Sequence, residues 1–290
     1  MKFLLDIALM SSKAINSISD VLVNYNHYII DLWGVVHDGT LLYPGAVPAL
    51  EKIKQAGGKV IFLSNAPRRK QRVAERLKAF GINEDMYHDI VSSGELLFQT
   101  INDHIPLGSK HYFYIGYDKD MDILEGTNFI RTNNIDSADF ILCADLEEGL
   151  VDQMSAGLKD ALQKANKLKI PFLCANPDIY IVLQSGGIQY CAGYIGKYYE
   201  ELGSEVIYFG KPYRAGYEAC LKSFAISGFE KVLAIGDNFH TDIKGAANSA
   251  IDSLLVRCGV HRDVLSTPQG LEDLISEYKV CPTFNIESFR

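Results

Sequence analysis

The chain of 290 residues has one tryptophan, no paired cysteines, no long apolar run and a shortage of positive charge. Each lack excludes something. The six cysteines, Cys143, Cys174, Cys191, Cys220, Cys258 and Cys281, never fall within four residues of one another, so there is neither a CxxC redox pair nor zinc-knuckle spacing. Most lie in apolar runs, where a free thiol behaves as a small hydrophobe, and this points to a reducing compartment. No apolar stretch approaches the ~18 residues that a membrane span needs. The opening Met1-Lys-Phe-Leu-Leu-Asp-Ile-Ala-Leu-Met10 has the outline of a secretory leader, but Asp6 interrupts it and no A-x-A site follows. A cytoplasmic protein is expected, with a helical N-terminal extension over residues 1–26. The 28 Lys+Arg against 36 Asp+Glu leave a net charge of −8. An acidic surface repels phosphate backbones, so neither nucleic acid nor an anionic membrane is an expected partner. P-loop, G-x-G-x-x-G and H-E-x-x-H patterns are missing, as are internal repeats and low-complexity segments.

What is present is an ordinary globular balance, 48% hydrophobic and 22% charged. The length suits two domains, or one domain carrying a large insertion, at roughly 150 residues each. Short β-branched runs alternate with amphipathic stretches, the pattern of βαβ units around a parallel sheet. The runs are Tyr28–Trp33, Lys59–Leu63, Ile90–Ser93, Val206–Phe209, Val232–Ile235 and Ser253–Val256. Helices are expected over Arg69–Phe80, closed by Gly81, and over Tyr213–Phe224. Residues 106–205 read differently. Strands at Tyr112–Ile115 and Phe140–Cys143 precede a helix at Gln153–Lys167, Phe172–Cys174 follows, and a Gly186-Gly187 turn joins Tyr180–Leu183 to Ile188–Tyr190. The expected fold is therefore α/β: a Rossmann-like, doubly wound parallel core of residues 1–105 and 206–290, with residues 106–205 inserted as an α+β domain.

Four strands run into polar residues at their carboxyl ends: Asp31, Ser64-Asn65, Lys211 and Asp237-Asn238. Open parallel sheets bind ligands there, and helix N-termini at that edge offer N–H groups to anions. Taken singly, an Asp after a strand is more often a turn residue or helix cap, and a Lys is usually solvated. Four together are harder to dismiss. Asp31, Asp237 and Asp242 would crowd carboxylates at one sheet edge, which is costly unless a cation sits among them. Oxygen donors without paired His or Cys favour Mg²⁺. Lys211 and the Ser64 hydroxyl would serve a phosphoryl group, and a carboxylate can act as nucleophile toward it.

These motifs resemble the haloacid dehalogenase superfamily, in particular its class IIA phosphatases of the nitrophenyl-, sugar- and nucleotide-phosphatase kind. Asp31-Leu-Trp-Gly-Val-Val-His-Asp-Gly39, with Pro44-Gly-Ala46, is similar to the first motif, and Leu63-Ser-Asn65 to the second. Gly210-Lys-Pro212 resembles the third and Gly236-Asp-Asn-Phe-His-Thr-Asp242 the fourth. Ala175-Asn-Pro-Asp178 resembles a turn of the class IIA cap. The resemblance implies a Mg²⁺-dependent phosphatase with Asp31 as nucleophile and Asp31, Asp237, Asp242 and the Trp33 carbonyl at the metal. It implies Lys211 neutralising charge and Ser64 binding phosphate, with Asn65, Asn176 and Asp178 toward the substrate. Residues 106–205 would then be a cap that closes over a small phosphorylated metabolite; a homodimer is the oligomeric option. One departure stands out. The phosphatase pattern is Asp-x-Asp, its second Asp protonating the leaving group and later activating water. Here that position is Trp33, whose indole does not titrate usefully; His37 and Asp38 lie nearby. A dehalogenase tolerates this change, but it needs no metal, and the full acidic fourth motif speaks against it. His240 reads as a loop residue, and Tyr190, Tyr194, Tyr198 and Tyr199 read as the packed face of a helix.

Overall fold

The computed structural model describes residues 11–147, 150, 153–182, 187–229 and 231–290. In chain order the strands are β1 (Lys13–Ala14), β2 (His27–Ile30), β3 (Lys59–Ser64), β4 (Asp89–Ser92), β5 (His111–Ile115), β6 (Ile130–Thr132) and β7 (Phe140–Cys143). Then come β8 (Phe172–Cys174), β9 (Tyr180–Val182), β10 (Ile188–Tyr190), β11 (Val206–Tyr208), β12 (Val232–Gly236), β13 (Asp252–Val256) and β14 (Phe284–Ile286). The chain divides into two compact units. One holds the described residues through Ser64, Ala74–Val91 and Lys211–Arg290; the other holds Asn65–Val73 and Ser92–Gly210.

The first unit is built on a seven-stranded sheet in the order β1-β14-β13-β12-β2-β3-β4. The pairs from β1 across to β3 are parallel, with Ile235 opposite Ile30 and Ile30 opposite Phe62. The central strands are nearly all apolar and buried, as a sheet covered on both faces requires. Helix Ala46–Gln55 buries Ala46, Ala49, Leu50 and Ile53, one face of a 3.6-residue period, while its lysines point outward.

The helix expected over residues 1–26 does not form in its described part; residues 1–10 lie outside it. Lys13–Ala14 pairs with Phe284–Asn285, and a 3₁₀ turn follows at Ile18–Asp20. Ser17 and Asp20 form a capping box that starts this turn. Ile15, Ile18 and Val21 are buried at a spacing of three. That spacing suits a 3₁₀ turn as well as a helix, and the polar Ser and Asn residues between them favour the turn.

The second unit has a five-stranded sheet, order β11-β8-β7-β5-β6, and an antiparallel hairpin β9–β10 with Val182 opposite Ile188. The five strands run parallel. Helices Ala156–Leu168 and Ala192–Glu201 pack Leu158, Leu162, Ile195 and Tyr199 into one core with Ile141, Phe172 and Cys174. Gly186 of the hairpin turn lies outside the described residues. Val206–Tyr208, which chain order groups with the first sheet, pairs instead with β8. A three-residue apolar run does not itself say which sheet it joins. Residues 65–73 are tied to this unit by ion pairs: Arg68 to Asp120 (2.7 Å), Arg69 to Glu95 (2.8 Å) and Arg72 to Asp122 (3.1 Å).

Candidate active site

In the first sheet, β2 and β12 are neighbours, β3 and β4 lie beyond one of them, and β13 and β14 beyond the other. The winding therefore reverses between β2 and β12, and strand ends at such a reversal leave a crevice for ligands. Asp31 directly follows β2 and Asp237 directly follows β12. The Asp31 N–H donates to the Ile235 carbonyl (2.8 Å), extending the ladder to the aspartate itself.

Asp242 arrives from a π-helical turn, Phe239–Ile243, a form of helix often found at functional sites. The Asn238 side chain caps that turn by accepting the His240 N–H, while the Asn238 N–H donates to the Asp242 carboxylate (3.1 Å). Carboxylate oxygens of Asp31, Asp237 and Asp242 lie within 4.8 Å of one another. No other trio of His, Cys, Asp or Glu among the described residues gathers so closely. Lys211 donates to Asp31 and to Asp242, the latter at 2.7 Å. All four residues are at most 7% exposed.

The electrostatics follow from that count: three buried carboxylates face one ammonium. Burial pulls the Lys211 ammonium down, but Asp242 and Asp31 outweigh it and hold its pKa above the ordinary value. Burial, with the charges of Asp31 and Asp242 added, pushes Asp237 well up. The Val260 N–H, donating to Asp237 at 2.6 Å, opposes this only in part. The cluster therefore carries more negative charge than Lys211 neutralises, and its donors are all oxygen. A hard divalent cation fits that set.

Ser64 ends β3, the strand beside β2, and is buried. Four of the sequence candidates, Asp31, Lys211, Asp237 and Asp242, thus meet directly, with Ser64 on the adjoining strand end. Asn65, Asn176 and Asp178 gather within the second unit. The Asn65 amide donates to the Asp178 carboxylate (3.0 Å), and the Asp178 N–H donates to the Asn176 side chain (3.1 Å). Tyr199 is fully buried and donates to the Ile170 carbonyl, while Tyr190, Tyr194 and Tyr198 border the same core. Tyr194, Tyr198 and Tyr199 lie on the packed face of helix Ala192–Glu201, whereas Tyr190 ends strand β10 and is not on the helix. His240 lies in the π-helical turn, its ring 6.3 Å from Tyr278.

Trp33 heads a tight loop. The His37 carbonyl accepts the Gly34 N–H (2.9 Å), and the rings of Trp33 and His37 sit edge to face with centroids 6.0 Å apart. Gly34 (φ +85) has no alternative, because a methyl group there would overlap the Asp237 carboxylate. His37 is buried, and its Nδ1 accepts the Gly39 N–H (3.0 Å). Burial, aided by the Arg76 cation, lowers its pKa to about 4. The Asp38 carboxylate accepts the N–H groups of Thr40 (2.9 Å) and Leu41 (2.7 Å).

Three contributors were not apparent from sequence. They are Gly34, the Val260 N–H on Asp237, and His261, whose Nε2 accepts the Phe239 N–H (3.2 Å) and so props the turn that carries Asp242. Gly259, three residues past the end of β13 and just before Val260 and His261, was the available signal.

A reversed parallel sheet with an aspartate after each central strand and a lysine between carboxylates defines a class of hydrolase, and family matches agree. Residues 28–130 match the haloacid dehalogenase-like hydrolase family, and residues 208–288 match a HAD-hydrolase-like family. The chain belongs to the haloacid dehalogenase-like hydrolases. It is 24% identical over 265 residues to the 5'-nucleotidase YutF of Bacillus subtilis (strain 168), spanning 88% of this chain and 97% of that one. To the acid sugar phosphatase of Staphylococcus aureus (strain MRSA252) it is 23% identical over 266 residues, 91% and 95% of the two chains. The crystal structure of a haloacid dehalogenase-like hydrolase from Brucella suis 1330 superposes with a TM-score of 0.81 at 26% identity, covering 95% of this chain and 100% of that one. No helix among the described residues is long and apolar enough to cross a membrane.

Proposed function

We propose that the protein is a Mg²⁺-dependent phosphatase that acts on a small phosphorylated metabolite through a phospho-Asp31 intermediate. The observation that carries this is the bond from Lys211 to both Asp31 and Asp242 beside a third buried carboxylate, Asp237. Asp31, Asp237, Asp242 and the Trp33 carbonyl would hold the ion, which when bound supplies positive charge to the phosphoryl oxygens. Lys211 keeps one Asp31 oxygen oriented and offsets charge as the phosphoryl group arrives. Ser64, on the neighbouring strand end, offers its hydroxyl to a phosphoryl oxygen. We assign the second unit the role of a cap that selects the substrate, with Asn65, Asn176 and Asp178 toward the ligand. A cytoplasmic setting suits its buried thiols, Cys143, Cys174, Cys191 and Cys220.

Trp33 favours a second reading: a phosphotransferase, or a relative that binds a phosphorylated ligand with weakened turnover. Assays of p-nitrophenyl phosphate with and without Mg²⁺ separate the two. Hydrolysis that requires Mg²⁺ and is lost in Asp31→Asn is expected. Activity that survives either chelation or Asp31→Asn would overturn the proposal.

A further inference from the structure

Resting on the phosphatase reading, we infer that this site takes phosphoryl groups whose leaving group departs without a proton, namely acyl and aryl phosphates, and is slow on the alkyl phosphates of sugars. The resemblance puts the proton donor for the leaving oxygen in the loop from Asp31 to Leu42, and the polar side chains there, with Lys211 beside them, make other contacts. Trp33 stands two residues past Asp31, and its indole N–H is not an acid near neutral pH. The ring is also fixed in place, because Gly39 (φ +86) lies so close that a methyl group there would overlap it. The Gly39 carbonyl is in turn held by Arg76. His37 is buried, accepts the Gly39 N–H on Nδ1 and packs its ring edge to face against Trp33, so its ring is held within the loop. Asp38 spends a carboxylate oxygen on the Thr40 and Leu41 N–H groups, closing the turn. The ammonium of Lys211 is engaged by Asp31 and Asp242.

The chemistry then divides by leaving group. As an Asp31 oxygen bonds to phosphorus, the bond from phosphorus to the leaving oxygen breaks, and its electron pair stays on that oxygen. A carboxylate or nitrophenolate carries the pair as a stable anion, whereas an alkoxide needs a proton. Water then attacks the phosphorus of phospho-Asp31, the Asp31 carboxylate is restored, and the proton of water passes to phosphate or solvent. A positioned acid is worth roughly 10²–10⁴-fold in rate, and this loop withholds that factor from alkyl esters alone.

The test is kcat/KM of the unaltered protein with Mg²⁺ on acetyl phosphate, p-nitrophenyl phosphate, phenyl phosphate and glucose 6-phosphate. This ratio reports the step that expels the leaving group, even where hydrolysis of the phosphoenzyme is slower. A steep fall along that series is expected, with glucose 6-phosphate at least ~10²-fold below p-nitrophenyl phosphate. Trp33→Asp should raise the ratio of the alkyl ester to acetyl phosphate roughly 10²-fold. Because that substitution also empties the space against Gly39, the series on the unaltered protein decides alone. Glucose 6-phosphate within roughly tenfold of acetyl phosphate would overturn the inference and leave the phosphatase reading standing. No turnover of any of the four would overturn the phosphatase reading itself, and the inference with it.

Discussion

Asp237 occupies the least comfortable place in the acidic cluster. It is buried, it feels Asp31 and Asp242, and one backbone N–H is its chief compensation. A cation relieves that position most, so Asp237→Asn should weaken Mg²⁺ binding strongly; unchanged affinity by calorimetry would refute this. Trp33 supplies a direct optical probe, since it is the single tryptophan of the chain. Its emission should change as Mg²⁺ is added, in a titration that needs no turnover, and the change should vanish in Asp237→Asn. A second consequence concerns lifetime. With no titrating group at Trp33 to deprotonate water, phospho-Asp31 should accumulate during turnover, giving a burst of nitrophenol and an acid-stable-phosphate signal lost in Asp31→Asn. Asp31 and Asp237 were legible in the sequence because each directly follows a buried strand, whereas Lys211, three residues past the half-buried β11, and Asp242, in the π-helical turn, were legible through the third and fourth motifs. Gly34 stood within the first motif, but its close approach to Asp237 was not apparent, and the Val260 N–H and the His261 ring acceptor left no mark beyond the neighbouring Gly259.

Among the elements, the ends of the first sheet were the least readable. β1 has two residues and β14 three, too few to show alternation or a buried run, and they pair only because the chain's two extremes meet. Lys13 donates to Thr283, Ile15 to Asn285 and Ile18 to Arg290, at 2.8–3.0 Å. The capping box at Ser17 starts the turn that makes the last of these contacts. Ser17→Ala should lower stability by about 1 kcal/mol, read from the midpoint of urea unfolding. Helices of ten or more residues were recoverable, since Arg214–Phe224 and Lys70–Ala79 repeat their apolar positions over several turns. In the second unit, Asp145 follows β7, and burial pushes its carboxyl up to about 6. The folded protein therefore binds this proton more tightly than the unfolded chain does, so stability falls as pH rises from about 4 to 6. Asp145→Asn should stabilise the protein above pH 6, on the order of 2 kcal/mol, and give no gain near pH 4. Equal effects at both pH values would refute the assignment. His37 and His261 have the opposite sign. Burial lowers each to about 4, so each withdraws stability as pH falls from 6.5 toward 4.

For the molecule as a whole, the winding reversal between β2 and β12 has a consequence for biosynthesis. The strand that ends in Asp31 emerges early, but the partner on one of its flanks, Val232–Gly236, is made only after the entire second unit. Until then β2 presents an open, apolar edge, the kind of surface on which unfinished chains stick to one another. A ribosome paused anywhere before residue 232 holds a nascent chain that cannot bury that edge with its own residues. Fragments ending there should therefore precipitate or be retained by chaperones, and extension through β13 should release them. Pulse-labelled truncations that stay soluble without chaperones would contradict this.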